Sequence, residues 1–265
     1  MSRIATYNVN SVKARLNRLT EWLDRTAPDI VLLQETKSTD ADFPRTPFEE
    51  RGYTVTPVGQ KTYNGVAILA RDSVEDVIDT LPGDASDTEA RYVEAVVGGR
   101  LRVASVYVPM GQAVDSDKFT YKLDFLARLY ERARTLLAWE EAFVLAGDYN
   151  VAPEPADVHD PEGCRGDVLF SRPERAALRA IQHLGLTDAL RTMDPRPGLF
   201  TWWHYRGGAW QKDTGYRLDH LLLSPQATDR LTAAGVDKGE RGREKASDHA
   251  PVWCDLTMEA APAPV

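Results

Sequence analysis

Carboxylates, amides and a histidine stand repeatedly at the ends of apolar runs in this chain. Asn8 and Asn10 end the first run, RIATYNVN, Glu35 closes DIVLLQE, and Asp148 and Asn150 follow AFVLAG. Asp219 lies near the start of YRLDHLLLS, and Ser247, Asp248 and His249 come directly before APVWCDL. If the last two runs are strands opposed to the first three, strand polarity brings all these groups to one edge of the sheets. The set is rich in hard oxygen donors, which suits Mg²⁺ or Mn²⁺ and not Zn²⁺. A carboxylate and a histidine beside such an ion supply a base and an electrophile for attack on phosphorus. Taken singly, each residue has a plain structural reading. Glu35 could be a solvated strand end, Asp148 to Asn150 an Asx-turn, Asn8 a helix cap and Tyr107 a packed aromatic. Their joint occurrence in this order is what points to chemistry.

The elements that must position them are legible from periodicity. Val12, Leu16, Leu19, Trp22 and Leu23 recur at spacings of three and four after Ser11, which predicts an amphipathic helix with Ser11 as its N-cap. Pro28 stops it, and a buried strand follows over 29–35. Further strands are predicted over 53–58, 63–71, 91–97, 101–108, 142–147, 216–224 and 250–256. Gly98, Gly99 and Arg100 make a short hairpin connection. A long helix is expected at about 116–138, and Ser171 with Glu174 forms a capping-box pattern opening another that runs to Gly185. Strands interleaved with long helices read as α/β or α+β, with sheets covered by helices.

The chain has 265 residues, 43% of them apolar and 27% charged, the balance of a soluble globular protein. No apolar run approaches the length of a membrane span, and residues 1–10 lack a signal-peptide core. Cys164 and Cys254 are 90 residues apart, which fits two free thiols and neither a metal knuckle nor a disulfide framework. The net charge of −8 argues against a nucleic-acid partner only superficially, because local fields decide such binding. Residues 10–25 and 206–217 are locally basic, and a basic face is therefore permitted.

The segments ATYNVNSVKAR, DIVLLQETK, YNGVAILAR, VYVPMGQ, LAGDYNVAP, TWWHYR, YRLDHLLLS and ASDHAPVW resemble the signature segments of the exonuclease III family of AP endonucleases. They span residues 5–253 in the family's order. LQE, GDxN and SDH alone would indicate only the wider DNase-I-like phosphodiesterases; YNGVAI, VYVPMGQ and the tryptophan-bearing segment narrow the resemblance to the bacterial branch. It implies a four-layered α/β sandwich, with two mixed, mostly antiparallel sheets packed face to face and flanked by helices. One domain is expected over residues 1–258, followed by a flexible tail over 259–265.

The implied activity is Mg²⁺-dependent hydrolysis, with Mn²⁺ as a substitute, of the phosphodiester 5′ to abasic sites in double-stranded DNA. With it go 3′→5′ exonuclease and 3′-phosphatase activities on blocked 3′ ends. The implied setting is base excision repair by a cytoplasmic, nucleoid-associated monomer with no membrane partner. Carried over by position, Glu35 would be the principal metal ligand, with Asn8 and Asp248 close by. Asp148, helped by Asn150, would activate or orient water. His249, oriented by Asp219, would contact phosphate oxygens, and Tyr107 would approach the scissile phosphate. Trp202, Tyr216 and Leu218 would line a pocket for the flipped-out abasic sugar, with Trp210, Arg206, Lys212 and Arg217 beside them in aromatic and basic surroundings that suit DNA. His204 stands where many bacterial members have an acid, and Tyr149 replaces a frequent Phe or Met. An alternative is a DNase-I-like phosphodiesterase acting on a non-DNA phosphodiester, which need not keep that run of aromatics.

Overall fold

The computed structural model describes residues 1–257; position 258 and the tail expected at 259–265 lie outside the described residues. In chain order the strands are β1 (Ser2–Asn8), β2 (Ile30–Gln34), β3 (Thr54–Val58), β4 (Val66–Ala70), β5 (Val74–Ile78), β6 (Tyr92–Val97), β7 (Leu101–Tyr107), β8 (Phe143–Asp148), β9 (Thr187–Asp188), β10 (Asp219–Leu223), β11 (Leu231–Val236) and β12 (Val252–Leu256). The helices are α1 (Leu16–Thr26), α2 (Thr46–Glu49), α3 (Asp117–Leu137), α4 (Arg172–Gln182), α5 (Ala189–Met193) and α6 (Pro225–Thr228).

The strands form two six-stranded sheets, ordered β11-β12-β1-β2-β4-β3 and β5-β6-β7-β8-β10-β9. Each sheet is mixed, with one parallel pair (β1 with β2, and β7 with β8) among antiparallel neighbours. The sheets pack face to face. Ile4, Ile30, Leu32 and Ile68 of the first share one buried cluster with Val93, Val103, Val144 and Leu221 of the second. The alternate residues face outward, since side chains along a strand point to opposite faces. Ala5, Val31 and Leu33 meet Leu19, Trp22 and Leu23 of α1, whereas Phe143 and Leu145 meet α3 and α4 through Leu129, Leu136 and Leu178. This is the expected four-layered sandwich. Central strands covered on both faces must be apolar throughout, which is why DIVLLQE and AFVLAG read as continuous runs.

Two local devices match the sequence reading. Gly98 and Gly99 take left-handed conformations (φ 60° and 62°) between β6 and β7. The Ser171 and Glu174 side chains cap α4 reciprocally, although the helix closes at Gln182, short of the expected Gly185. The N-terminal helix differs more. It begins at Leu16, with Arg15 at the cap position, so Ser11 is not its N-cap. Asn10 and Ser11 are left-handed (φ 45° and 91°). The N–H groups of Ser11 and Val12 donate to the carbonyls of Glu35 and Thr36, and so this segment is held against the end of β2. The sequence reading passed over strands β5 and β11, the first rich in acids and the second in small residues. β5 is mostly exposed, and Gly235 in β11 is required because a Cβ there would lie 2.7 Å from the Trp253 ring.

Candidate active site

Register brings the candidate residues together. Asn8 pairs with Gln34 where β1 and β2 end in parallel, and Tyr107 pairs with Asp148 where β7 and β8 do the same. β10 runs antiparallel to β8 and begins with Asp219 opposite Asp148. β12 runs antiparallel to β1, so His249 arrives at the same edge. Gly147 precedes Asp148 because the β7 backbone passes too close for a side chain. A Cβ there would lie 1.8 Å from the Val106 carbonyl oxygen.

The interior of the site is an acid–imidazole–acid arrangement. His249 Nδ1–H donates to Asp219 Oδ2 at 2.9 Å, and its Nε2 faces Asp148 Oδ2 at 3.7 Å. All three side chains are buried. Burial works against the imidazolium, but Asp219 and Asp148 outweigh it and hold the His249 pKa well above the ordinary value. Burial, with Asp219 beside it, also raises Asp148, against the pull of His249 and of the donors from Asn8 and Asn150. Asn150 N–H donates to Asp148 Oδ1 at 2.9 Å, and Asn8 Nδ2 donates to Oδ2 at 2.8 Å. A residue that the sequence reading missed fixes Asp219: the Thr201 hydroxyl donates to Asp219 Oδ2 at 2.6 Å while accepting from the Leu218 and Asp219 N–H groups. Its only signal was its place at the start of TWWHYR.

Towards solvent lies a second set. Glu35, left-handed at φ 50°, accepts from Asn8 Nδ2 at 3.0 Å and faces Lys37 Nζ at 2.9 Å. Burial pushes the Glu35 pKa up, yet Lys37 and Asn8 bring it below the usual carboxylate value. Lys37 also donates to Asn10 Oδ1, and Asn10 donates to Asp248 Oδ1 at 2.9 Å. The sequence reading passed over Lys37, although it stands two residues from Glu35 in QETK. Asp248 Oδ2 accepts from Trp202 Nε1 at 3.0 Å. Tyr107 is nearly buried beside these groups. Burial, then the charges of Glu35 and Asp148, raises its phenol pKa well above the ordinary value.

Asp148, Asp219 and His249 offer ligand atoms within 4.8 Å of one another, so the site contains an acidic cluster able to hold a metal ion. The donor chemistry favours the neighbouring oxygen set. His249 has both nitrogens facing carboxylates and a raised pKa, which makes it a poor ligand for a cation. Glu35 keeps about a fifth of its side chain exposed, within reach of a hydrated ion. Asp219 Oδ1 is buried without a hydrogen-bond partner, a further unused oxygen at this edge.

Beside this centre is an apolar cluster. Trp202 packs edge-on to Tyr216, with ring centroids 5.6 Å apart, and both pack against buried Leu218, Val158 and Leu169. Leu218 and Asp219 face opposite ways, as strand alternation requires. The Tyr216 hydroxyl meets Cys164 Sγ at 2.9 Å. His204 and Arg206 are exposed on the following turn, where His204 lies edge-on to Trp202 and its Nδ1 accepts from Arg206 N–H. Lys212 is exposed on the same excursion. The other residues grouped with them lie elsewhere. Trp210 packs perpendicular to buried Trp203, at 5.0 Å, in a separate cluster. Arg217 is buried between Asp157 and Asp188, so it is not part of a basic face. Tyr149 packs in the core.

Residues 5–249 match the profile of the endonuclease/exonuclease/phosphatase family. The chain belongs to this family. It is 30% identical to exodeoxyribonuclease III of Haemophilus influenzae, over 96% of this chain and 99% of that one. Among solved structures, it is similar to the 3′ phosphatase NExo from Neisseria bound to a product DNA hairpin. The TM-score is 0.94, with 39% identity over 97% of this chain and 100% of that one. An AP endonuclease from Archaeoglobus fulgidus superposes with a TM-score of 0.93 and 38% identity, over 97% and 100% of the two chains. The family's members include hydrolytic nucleases, and the chain is an enzyme of that kind. No helix among the described residues is long and apolar enough to cross a membrane.

Proposed function

We propose that the protein is a DNA-repair nuclease. It hydrolyses the phosphodiester 5′ to abasic sites in duplex DNA and trims or dephosphorylates 3′ ends. The observation that carries this reading is the contact between the hydrolytic centre and the apolar cluster: Trp202 donates to Asp248, the neighbour of His249. In this reading the half-buried rings of Trp202 and Tyr216 meet the extruded bare deoxyribose and exclude an attached base, while Leu218, expected beside them as a pocket wall, is buried and only packs against them. Extruding a nucleotide costs a few kcal/mol and least where a base is missing, which adds to the selection.

In this reading Glu35, with Asn8 and Asp248 nearby, holds Mg²⁺, and Mn²⁺ can replace it. Such an ion, when bound, would supply charge neutralisation to the reacting phosphoryl group. Asp148 orients the attacking water and takes its proton; burial has moved its pKa toward neutrality, where a general base works best. His249, kept protonated by Asp219, donates to a non-bridging phosphate oxygen. Tyr107 presents its phenol to the same phosphate, and Asn150 holds Asp148. Arg206 and Lys212 serve the DNA backbone. The protein acts as a single-domain cytoplasmic monomer on double-stranded DNA.

The test is a duplex with one abasic site, labelled on both strands and incubated with and without Mg²⁺. Incision 5′ to the lesion that requires Mg²⁺ is expected; no cleavage of any DNA, with turnover of a small phosphodiester instead, would overturn the reading. The same duplex probes Trp202. Trp202→Ala should reduce incision at the abasic site more than degradation from undamaged ends, with circular dichroism unchanged. Equal loss of both activities in a folded variant would remove Trp202 from lesion recognition.

A further inference from the structure

The segment Asp148 to Asn150 is a sharp excursion. Asn150 is left-handed at φ 49°, and this conformation aims its N–H at Asp148 Oδ1 and its Nδ2 at Val108 O, 2.9 Å away. Among residues with a Cβ, Asn and Asp enter the left-handed region most readily, and two buried side chains hold this turn in place. Lys122 of α3 is fully buried and donates from Nζ to the Asn150 carbonyl at 2.6 Å, and to the Met110 carbonyl at 3.2 Å. Its charge is met by buried Glu174 of α4, whose other oxygen accepts from Ser171. His220 of β10 is also fully buried, with Nε2 2.9 Å from the next carbonyl, that of Val151. The Val151 carbonyl can only accept, so Nε2 carries a proton, while Nδ1 lies 2.9 Å from Arg217 Nη1 and 3.5 Å from Asp188 Oδ2.

We propose that Lys122 and His220 are positioning residues for hydrolysis, a clamp on two consecutive carbonyls that holds Asp148 and Asn150 in their working geometry. Neither touches the substrate. Lys122 links the segment to the helical layer, and His220 links it to β10, which also supplies Asp219. This inference rests on the reading of Asp148 as the residue that orients water. Loosening the carbonyls lets Asn150 leave the left-handed region, and Asp148 then loses one of its N–H donors. A displacement of this order at a reacting group lowers turnover by up to about 100-fold, while the surfaces that bind DNA are untouched.

A lone Lys122→Met would leave Glu174 as a buried unpaired charge, and so the test uses Lys122→Met combined with Glu174→Gln, and His220→Gln separately. Leu178→Ala, a core change in α4 that removes no hydrogen bond to either carbonyl, serves as the control for lost stability. The expected result is a fall of about 10- to 100-fold in kcat for both clamp variants, with KM within about threefold of wild type. Hydrogen exchange at the Asn150 amide should be faster than in Leu178→Ala. Unchanged kcat in the clamp variants, or an equal loss in Leu178→Ala, would overturn the proposal. So would failure of both clamp variants to fold where Leu178→Ala folds, because the network would then serve the whole domain. Wild-type turnover of the abasic duplex and of a 3′-phosphate end is measured alongside. Absence of both would sink the nuclease reading, whereas full activity in folded clamp variants sinks only the clamp.

Discussion

Asp148→Asn and His249→Ala are each expected to lower incision turnover on the order of 10²–10⁴-fold, the usual worth of a positioned proton-transfer group, while abasic DNA still binds. The loss follows from the geometry. The amide of Asp148→Asn cannot take a proton from water, and its NH₂ would face the donors of Asn8 or Asn150 where a carboxylate now accepts both. In His249→Ala, Asp219 keeps Thr201 as a partner but loses the imidazole. Asp148 loses the positive charge that favours its ionised form. Because the two groups serve one step, the double variant should be little worse than the weaker single. Single-turnover rates with saturating enzyme measure this; losses that add on a logarithmic scale would show two independent contributions.

Glu35→Ala should cost on the order of 10²–10³ in incision rate, the range for deleting one preorganised electrostatic contact at a developing charge. The substitution leaves Asn8 bonded to Asp148 and frees Lys37, which still has Asn10 as a partner. The fold should therefore survive and the Mg²⁺ response change. The activity midpoint in a Mg²⁺ titration should move to higher concentration. Near-normal incision at an unshifted Mg²⁺ midpoint would remove Glu35 from the metal site.

Much of this site was legible because its signals are local. An apolar run that ends in Asn8, Glu35 or Asp148 states both the strand and the end at which the polar group emerges, and antiparallel return strands place Asp219 and His249 at the same edge. Inner strands covered on both faces leave long apolar runs, so β2 and β8 were plain. β5, mostly exposed and carrying two acids, and β11, built of small residues and a glycine, offered no such signal.

Where a side chain is aimed by residues far away in sequence, local pattern was silent or misleading. Arg217 reads as part of a basic stretch, but Asp157 and Asp188, 60 and 29 residues distant, draw it inside. Trp210 reads as one of a group of exposed aromatics, but Trp203 holds it in a separate cluster. Ser11 reads as the helix cap, but its Oγ accepts from Ala14 N–H at 3.4 Å in a turn ahead of the helix, which the bonds from Ser11 and Val12 N–H to Glu35 and Thr36 pin to the end of β2. Lys122 carries no signal in the sequence, and only the packing of α3 against α4 and the Asn150 turn seals it from water. The sequence by itself determined the order of the strands' polar ends, because backbone periodicity is a property of neighbours. The tertiary structure decided which charges are buried as pairs, because that depends on burial and on partners that only the folded chain brings together.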